Sequence, residues 1–304
     1  ANYREGSFFL HIDTFDPHEP WDPPRWYVDQ YDPGYEGDEV IAPRYAPADF
    51  LTPAELGHCR ALYAAEVTLV DTWLGYLFAK IENLGLFENT AIIFTSDHGF
   101  YFGEHGWVGK SFIGKEVQHF LPLYEEVAHV PLLVYVPGVK PGRCGALVQP
   151  VDIAPTVYEL LGVEVPPTVQ GRSWVPLLTG ELHQVREFAW SGPAVHHPGR
   201  WRPSTVTTEE WCLIYNGPVV EPEPYWSVWA VDGNPRREVI PTAETVPNLD
   251  LRPRLYHLPS DPGQQRDLFR EYPEVAKELH RKYVAMLQGL GLPEDALRLR
   301  AMLE

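Results

Sequence analysis

The sequence is poor in sulfur-containing residues, with three cysteines and two methionines among 304 residues. The cysteines (Cys59, Cys144 and Cys212) are widely spaced and match no metal-binding or redox spacing. A disulfide framework is therefore not expected, and the cysteines do not indicate a compartment.

Long apolar runs and an excess of basic residues are also lacking. No apolar stretch approaches the roughly 20 residues that a membrane-spanning helix needs. Lys and Arg total 24 against 42 Asp and Glu, which gives a formal net charge of -18 at pH 7. Such a balance argues against nucleic acid or an anionic membrane as partner. An anionic substrate would need a local positive charge from a metal ion, lysine or histidine.

The hydrophobic pattern of the first 184 residues predicts an α/β fold. Alternation of buried strands with amphipathic helices indicates a mostly parallel sheet with covered faces. Thr52, Pro53 and Glu55 form the start signal of the longest helix. The predicted elements, in order, are a strand at Ser7–Asp13, a proline-rich loop at Thr14–Leu51, a helix from Pro53 to Gly85, strands at Ala91–Thr95 and Val130–Val136, and a helix from Asp152 to Leu161.

The character of the chain changes after about Gly180. Short aromatic runs at Trp211–Tyr215 and Tyr225–Val231 predict a small antiparallel sheet, and a helix is predicted over Pro273–Gly289. We therefore divide the chain into an α/β region, 1–184, and a smaller α+β region, 185–304.

An Asp-His pair directly after the strand AIIF is a candidate metal site. Ligands of α/β sheets bind beyond the carboxyl ends of strands, where Asp97 and His98 stand. Adjacent strand residues point to opposite faces, so the pair can share one ion only if the chain turns at His98, which Gly99 permits. A helix cap by Asp97 beside an ordinary loop histidine is the alternative.

The glycine-dense loop FYFGEHGWVGKSFIG follows and contains His105 and Lys110. Flexible backbone with a cation is what a tetrahedral anion requires beside a metal ion. Lys115 stands in a similar Gly-Lys context and is an alternative anion contact. A mobile surface loop with a solvated lysine is the competing interpretation.

The segment Asp-Pro-His-Glu-Pro-Trp, just past the first predicted strand, contains a third candidate. Two prolines restrict the backbone around His18. An imidazole held in this way can act as a general acid or donate to an ester oxygen. A lone loop histidine is more often an ordinary surface residue.

Taken in order, these segments resemble the sulfatase family and its relatives, the phosphonate monoester and phosphodiester hydrolases. The resemblance covers most of residues 7–180. The matching pieces are FFLHIDTFDPHEPW, YAAEVTLVDTWLGYLFAKIENLGLFENTAIIFTSDHG, GEHGWVGK, LYEEVAHVPLLVYVPG, VQPVDIAPTVYELLGV and GRSWVPLLTG.

The resemblance implies a three-layer α/β/α sandwich with one divalent ion in its site. By motif, Asp97 and His98 would bind the metal, while His18 and Lys110 would contact the sulfate or phosphate group and stabilise the leaving oxygen. We include His105 and Lys115 as candidate substrate contacts. Members of this type use a formylglycine made from the cysteine of a Cys-x-Pro/Ala-x-Arg motif, whose hydrated aldehyde attacks sulfur or phosphorus.

The sequence departs from that pattern in its nucleophile and metal-ligand segments, and also in the gap between Lys110 and Leu123, which is longer than the family usually has and leaves the choice between Lys110 and Lys115 open. None of its cysteines stands in the modified motif, and the strand with paired aspartates that supplies the remaining metal ligands is not found. Both would lie before residue 1, so we expect a fragment that is inactive alone, with formylglycine only in the absent part. Calcium-binding sulfatases often have Asn where His98 stands, so His98 favours Mn²⁺ or Zn²⁺ over Ca²⁺.

Three functions remain open at this point. Hydrolysis of sulfate esters is the leading prediction, and phosphonate monoester or phosphodiester hydrolysis at the same site is the alternative. A noncatalytic binding module is a third, because the 10 tryptophans include residues suited to stacking on sugars. The expected partner is a small-molecule sulfate or phosphate ester, and an oligomer is compatible with the sequence. The localisation is not indicated.

Overall fold

The computed structural model describes residues 6–114, 118–192, 203–216, 225–227, 236–238, 246–247 and 250–303. The helices in these residues are α1 (Arg25–Val28), α2 (Pro53–Asn83), α3 (Glu125–Ala128), α4 (Ile153–Leu160), α5 (Val175–Leu178), α6 (Pro273–Gly289) and α7 (Glu294–Arg300). The strands are β1 (Ala46–Pro47), β2 (Ile92–Thr95), β3 (Tyr101–Phe102), β4 (Trp107–Gly109), β5 (Ser111–Ile113), β6 (Gln118–Phe120), β7 (Leu132–Tyr135), β8 (Ala189–Ser191), β9 (Ser204–Thr207), β10 (Trp211–Tyr215), β11 (Tyr225–Ser227), β12 (Arg236–Glu238) and β13 (Arg254–His257). None of these helices combines the length and apolar character that crossing a membrane requires.

The long helix α2 begins where the sequence predicts. The Glu55 backbone N–H donates to the Thr52 hydroxyl at 3.2 Å, and the Thr52 N–H donates to the Glu55 carboxylate at 2.7 Å. This reciprocal pair satisfies two of the N–H groups that a helix start leaves without partners. The first turns of α2 bury Cys59 and Leu62 against Trp21, which packs the proline-rich loop onto the helix.

The strands β2 and β7 are both confirmed, but the parallel sheet is not. They lie side by side and run antiparallel, with Phe94 opposite Leu133. Every ladder in the described residues is antiparallel. A parallel pair needs a long crossover, usually helical, whereas the described chain between β2 and β7 contains short antiparallel strands and the one-turn helix α3. The three-layer sandwich is likewise not confirmed by these elements.

The prediction of a strand at Ser7–Asp13 is wrong, because these residues form no strand in the structure. The segment belongs to none of the ladders in the described residues. Its apolar side chains lie open to solvent, with Phe9 66% and Leu10 65% exposed. The apolar run indicated a buried strand, but a strand becomes buried only where neighbouring strands and a covering layer are present.

A small sheet organises the glycine-dense loop. In the described residues its strand order is β1-β4-β3, and Val108 in the central strand lies opposite both Ala46 and Phe102. Lys110 follows β4 directly and precedes β5, which pairs with β6. The loop that the sequence places here is therefore an ordered hairpin that ends at Lys110.

The C-terminal antiparallel sheet is confirmed, with strand order β13-β10-β9-β8 in the described residues. Leu213 and Leu255 of this sheet pack against Tyr283 and Leu287 of α6. The bounds of α6 match the prediction. Of the predicted run at Tyr225–Val231, the strand β11 is described, and residues 228–231 lie outside the described residues.

Candidate functional site

Four of the predicted site residues meet at one place. Lys110 Nζ lies 3.3 Å from His18 Nε2 and 3.1 Å from His98 Nε2. Asp97 Oδ2 lies 3.3 Å from the same His98 nitrogen. The proline-rich loop, the end of β2 and the end of β4 therefore bring a carboxylate, two imidazoles and an ammonium group into contact. His18 and His98 remain 39% and 37% exposed, so a solute can reach them.

Backbone carbonyls fix the orientation of both imidazoles. His18 Nδ1 is 2.7 Å from the Glu19 carbonyl oxygen, and His98 Nδ1 is 3.0 Å from the Gly99 carbonyl oxygen. A carbonyl only accepts hydrogen bonds, so each Nδ1 bears a hydrogen. In a neutral ring the lone pair then lies on Nε2, where it accepts from Lys110. A metal ion bound by His98 Nε2 would replace its hydrogen bond from Lys110, and a protonated His18 would donate from Nε2.

The turn after β2 depends on Gly99. The Asp97 carboxylate accepts from the His98 N–H at 2.8 Å, and Gly99 N–H donates to the Val127 carbonyl at 2.9 Å. A Cβ atom on Gly99 would lie 1.9 Å from the Glu126 carbonyl oxygen. Only glycine permits this close approach to α3, and the resulting turn brings the Asp97 and His98 side chains to the same place.

His105 lies in the turn of the β3–β4 hairpin and points elsewhere. Its ring stacks on Tyr124 at a centroid distance of 3.5 Å, and its Nε2 is 3.2 Å from Glu126 Oε2. Among the described residues, none of its hydrogen bonds or ring contacts reaches His18 or Lys110. The structure therefore does not bring His105 together with the other four. Instead, His105 fastens the tip of the hairpin to α3.

The His105–Glu126 contact also changes the acidity of the carboxyl group. Burial of Glu126 opposes ionisation, but hydrogen bonds from His105 and from its own N–H outweigh it, so the pKa of Glu126 is lowered. The carboxylate is therefore held ionised beside the His105 ring.

Lys115, the alternative anion contact, lies outside the described residues. The structure therefore gives the position of Lys110 alone, which lies between the two imidazoles.

Asp97 and His98 fit part of a metal site. They present an oxygen and a nitrogen donor 3.3 Å apart, and Asp97 is 81% exposed. Within the described parts of the chain, no group of three or more His, Cys, Asp or Glu side chains is arranged to hold a metal ion. Protein metal ions generally take four or more ligands. If a divalent ion bound here, this pair would supply two of its ligands, and the others would come from elsewhere.

Two contacts beside His18 were missed by the sequence reasoning. The Glu19 carboxylate lies 3.3 Å from His18 Nδ1, and the Tyr45 hydroxyl donates to the other oxygen of that carboxylate. Glu19 was part of the Pro-His-Glu-Pro segment, but sequence does not give the direction of its side chain. Tyr45 stands in no motif, and no sequence signal connects it with His18.

Comparison with known proteins identifies the family to which the chain belongs. The family model described as Sulfatase matches residues 1–163, more than half of the chain. N-acetylglucosamine-6-O-sulfatase of Bacteroides thetaiotaomicron is 40% identical over 137 residues, which are 44% of this chain and 22% of that protein. Arylsulfatase K of Xenopus laevis is 27% identical over 233 residues, which are 76% of this chain and 37% of that protein. The chain thus spans less than half the length of these two relatives.

Solved structures show the same fold. A protein in complex with its substrate D-glucosamine-2-N,6-O-disulfate is 25% identical, with a TM-score of 0.57 over 82% of this chain and 45% of that one. Phosphonate monoester hydrolase of Agrobacterium radiobacter is 20% identical, with a TM-score of 0.65 over 99% of this chain and 58% of that one. The second likeness concerns the α/β fold alone. With the family model matching over residues 1–163, the chain belongs to the sulfatase family.

Proposed function

We propose that this chain carries the anion-contact part of a metal-dependent site that hydrolyses small sulfate esters. The observation that supports the proposal is the position of Lys110 Nζ, 3.3 Å from His18 Nε2 and 3.1 Å from His98 Nε2. An ammonium group between two partly exposed imidazoles places a local positive charge in a protein whose net charge is -18.

Each side chain has a distinct task in this proposal. Lys110 would bind a nonbridging oxygen of the ester and stabilise the negative charge that develops there. His18, when protonated, would donate the Nε2 hydrogen to the leaving oxygen, since its Nδ1 hydrogen is already engaged by the Glu19 carbonyl. Lys115 remains a candidate second contact to the anion. His105 would act on the site through the hairpin that it anchors.

Asp97 and His98 would hold a divalent ion, which draws charge from the nonbridging oxygens when bound. The imidazole donor favours Mn²⁺ or Zn²⁺ over Ca²⁺, because calcium prefers oxygen ligands. Calorimetric titration of the chain with each cation tests this: the Asp97→Ala and His98→Ala variants should each lose Zn²⁺ affinity. Equal Zn²⁺ affinity of both variants and the unaltered chain would contradict the assignment of Asp97 and His98 as metal ligands.

We further propose that the formylglycine nucleophile and the remaining metal ligands come from polypeptide outside these 304 residues, and that this chain is inactive alone. The exposed apolar side chains support this. On β7, Leu133 and Tyr135 alternate with less exposed residues, and both are exposed together with Phe9 and Leu10. In this proposal the exposed apolar face of β7 and the apolar side chains of Phe9 and Leu10 contact the further polypeptide. A completing segment would cover this surface.

The test is kinetic. It uses the full product of the reading frame that contains these 304 residues. Values of kcat/KM are compared for an aryl sulfate, an aryl phosphonate monoester and a phosphodiester. The sulfate is expected to give the highest value. Higher values for the phosphorus esters would establish the alternative hydrolase, and turnover of none of them with retained sugar binding would establish the binding module.

Variants of the anion contacts complete the test. His18→Ala and Lys110→Ala should each reduce kcat/KM by roughly 10²- to 10⁴-fold, the range for loss of a general acid or of an oxyanion contact. The exposed Lys140→Ala serves as a matched control for loss of one positive charge. Unchanged kcat/KM in the Lys110 and His18 variants would reject the proposed roles.

A further inference from the structure

We infer that Tyr45 is a positioning residue that holds His18 and Lys110 at their mutual distance. This rests on the proposed function, in which those two side chains contact one anion. Tyr45 contacts the neighbours of both residues. Its hydroxyl group bonds to Glu19 beside His18, and its ring and backbone contact the chain before and after Lys110.

The contact on the His18 side runs through Glu19. The Tyr45 hydroxyl donates to Glu19 Oε1, and Glu19 Oε2 lies 3.3 Å from His18 Nδ1. The Glu19 side chain is only 14% exposed, so little water competes for its oxygens. Burial of Tyr45, together with the neighbouring Glu19 carboxylate, raises the pKa of its hydroxyl group. The hydroxyl therefore remains a hydrogen-bond donor at neutral pH.

The contact on the Lys110 side uses the ring and the backbone of Tyr45. A Cβ atom placed on Gly109 would lie 2.8 Å from Tyr45 Cγ, and Gly109 has a φ of +110°. The Tyr45 ring thus lies against the backbone immediately before Lys110. The Tyr45 carbonyl accepts from the Ile113 N–H at 2.9 Å, three residues after Lys110. One residue therefore contacts the chain on both sides of the lysine.

The neighbouring strands make this arrangement stiff. Ala46, which follows Tyr45, pairs with Val108 in the β1–β4 ladder. The Tyr45 ring also meets Phe100 edge-on at a centroid distance of 5.6 Å, and Phe100 meets Trp21 in the same way at 5.2 Å. The ring therefore contacts the segment between His98 and the hairpin directly, and through Phe100 it is linked to Trp21 of the loop that carries His18. A movement of Tyr45 would change both ends of the His18–Lys110 contact.

The test is Tyr45→Phe in the 304-residue chain, which keeps the ring on Gly109 and removes the hydroxyl group. Histidines are labelled with ¹⁵N, and the ring signals of His18 are followed by NMR, alone and during titration with inorganic sulfate. We expect shifted or broadened His18 signals and about tenfold weaker sulfate binding, which corresponds to loss of one hydrogen bond to a charged group. Tyr31→Phe is the matched control, since Tyr31 lies in the same proline-rich loop and its hydroxyl bonds to Thr68 of α2, away from His18.

A double-mutant cycle separates positioning from general damage. Glu19→Ala should reproduce the effects of Tyr45→Phe, and the double variant should be no worse than Glu19→Ala, because both break one chain of contacts. Additive effects of the two substitutions would overturn the inference. So would unchanged His18 signals in Tyr45→Phe. If the unaltered chain binds no sulfate while the His18 signals still respond to Tyr45→Phe, the proposed function fails and the positioning role stands.

Discussion

Replacing Gly99 with alanine tests how the site residues are brought together. The new Cβ atom would lie 1.9 Å from the Glu126 carbonyl oxygen, so the backbone after His98 must move by about 1 Å to reach a permitted contact. That movement breaks the 2.9 Å hydrogen bond from Gly99 N–H to the Val127 carbonyl. Overpacking costs about 1–3 kcal/mol and the hydrogen bond about 1 kcal/mol, so we expect a loss of roughly 2–4 kcal/mol in the free energy of unfolding.

The effect on function should exceed the effect on stability. A displacement of about 1 Å in a reacting group typically costs roughly 10²-fold in rate. The assay is therefore denaturant unfolding of the variant, together with kcat/KM for an aryl sulfate in the complete polypeptide. Gly75→Ala is the matched control, since Gly75 lies within α2 and a Cβ atom there has nothing within 4 Å. Its stability should be equal or slightly higher, because alanine favours helix. A Gly99→Ala variant as stable as the control, with unchanged His98 ring signals, would refute the reasoning.

Two further predictions concern acid stability and the apolar surface. Because the pKa of Glu126 is lowered in the fold, its contribution to stability is present above the unfolded value of about 4.5 and is lost as the pH falls through the folded value. The thermal midpoint of Glu126→Gln should therefore fall less between pH 5 and pH 3 than that of the unaltered chain, and parallel curves would contradict this. Leu133→Lys, on the exposed face of β7, should cost about 1 kcal/mol or less in the chain alone but should prevent its association with the completing segment when that segment is produced as a separate chain. Size-exclusion chromatography measures the association, Leu182→Lys is the control at another exposed leucine, and normal association of Leu133→Lys would count against the proposed surface.

Sequence reasoning succeeded where the determinants are local. The start of α2 follows from Thr52 and Glu55, which lie within one turn of each other and cap the helix by direct contact. The bounds of α6 follow from an apolar stripe and an initial proline in the same way. A change of chain direction at His98 was predicted from Gly99, and the structure has a bend one residue earlier, at Asp97.

The same reasoning failed where contacts join distant segments. The apolar run at Ser7–Asp13 indicated a buried strand, but burial depends on neighbours that the run itself does not specify. The direction of β7 relative to β2 depends on the path of the intervening chain. His105 looked like a substrate contact in a flexible loop, whereas a left-handed turn (φ of 54°) directs it towards Tyr124 and Glu126. Nothing in the sequence indicated the contact between Tyr45 and Glu19.

A crystal structure of the complete polypeptide with bound sulfate tests the central proposal most directly. We predict one sulfate with oxygens at roughly 2.7–3.2 Å from both Lys110 Nζ and His18 Nε2, the range of ordinary hydrogen bonds. Asp97 and His98 should contact a divalent ion beside the same sulfate. A sulfate bound at another place, with Lys110 and His18 making no contact to it, would contradict the account.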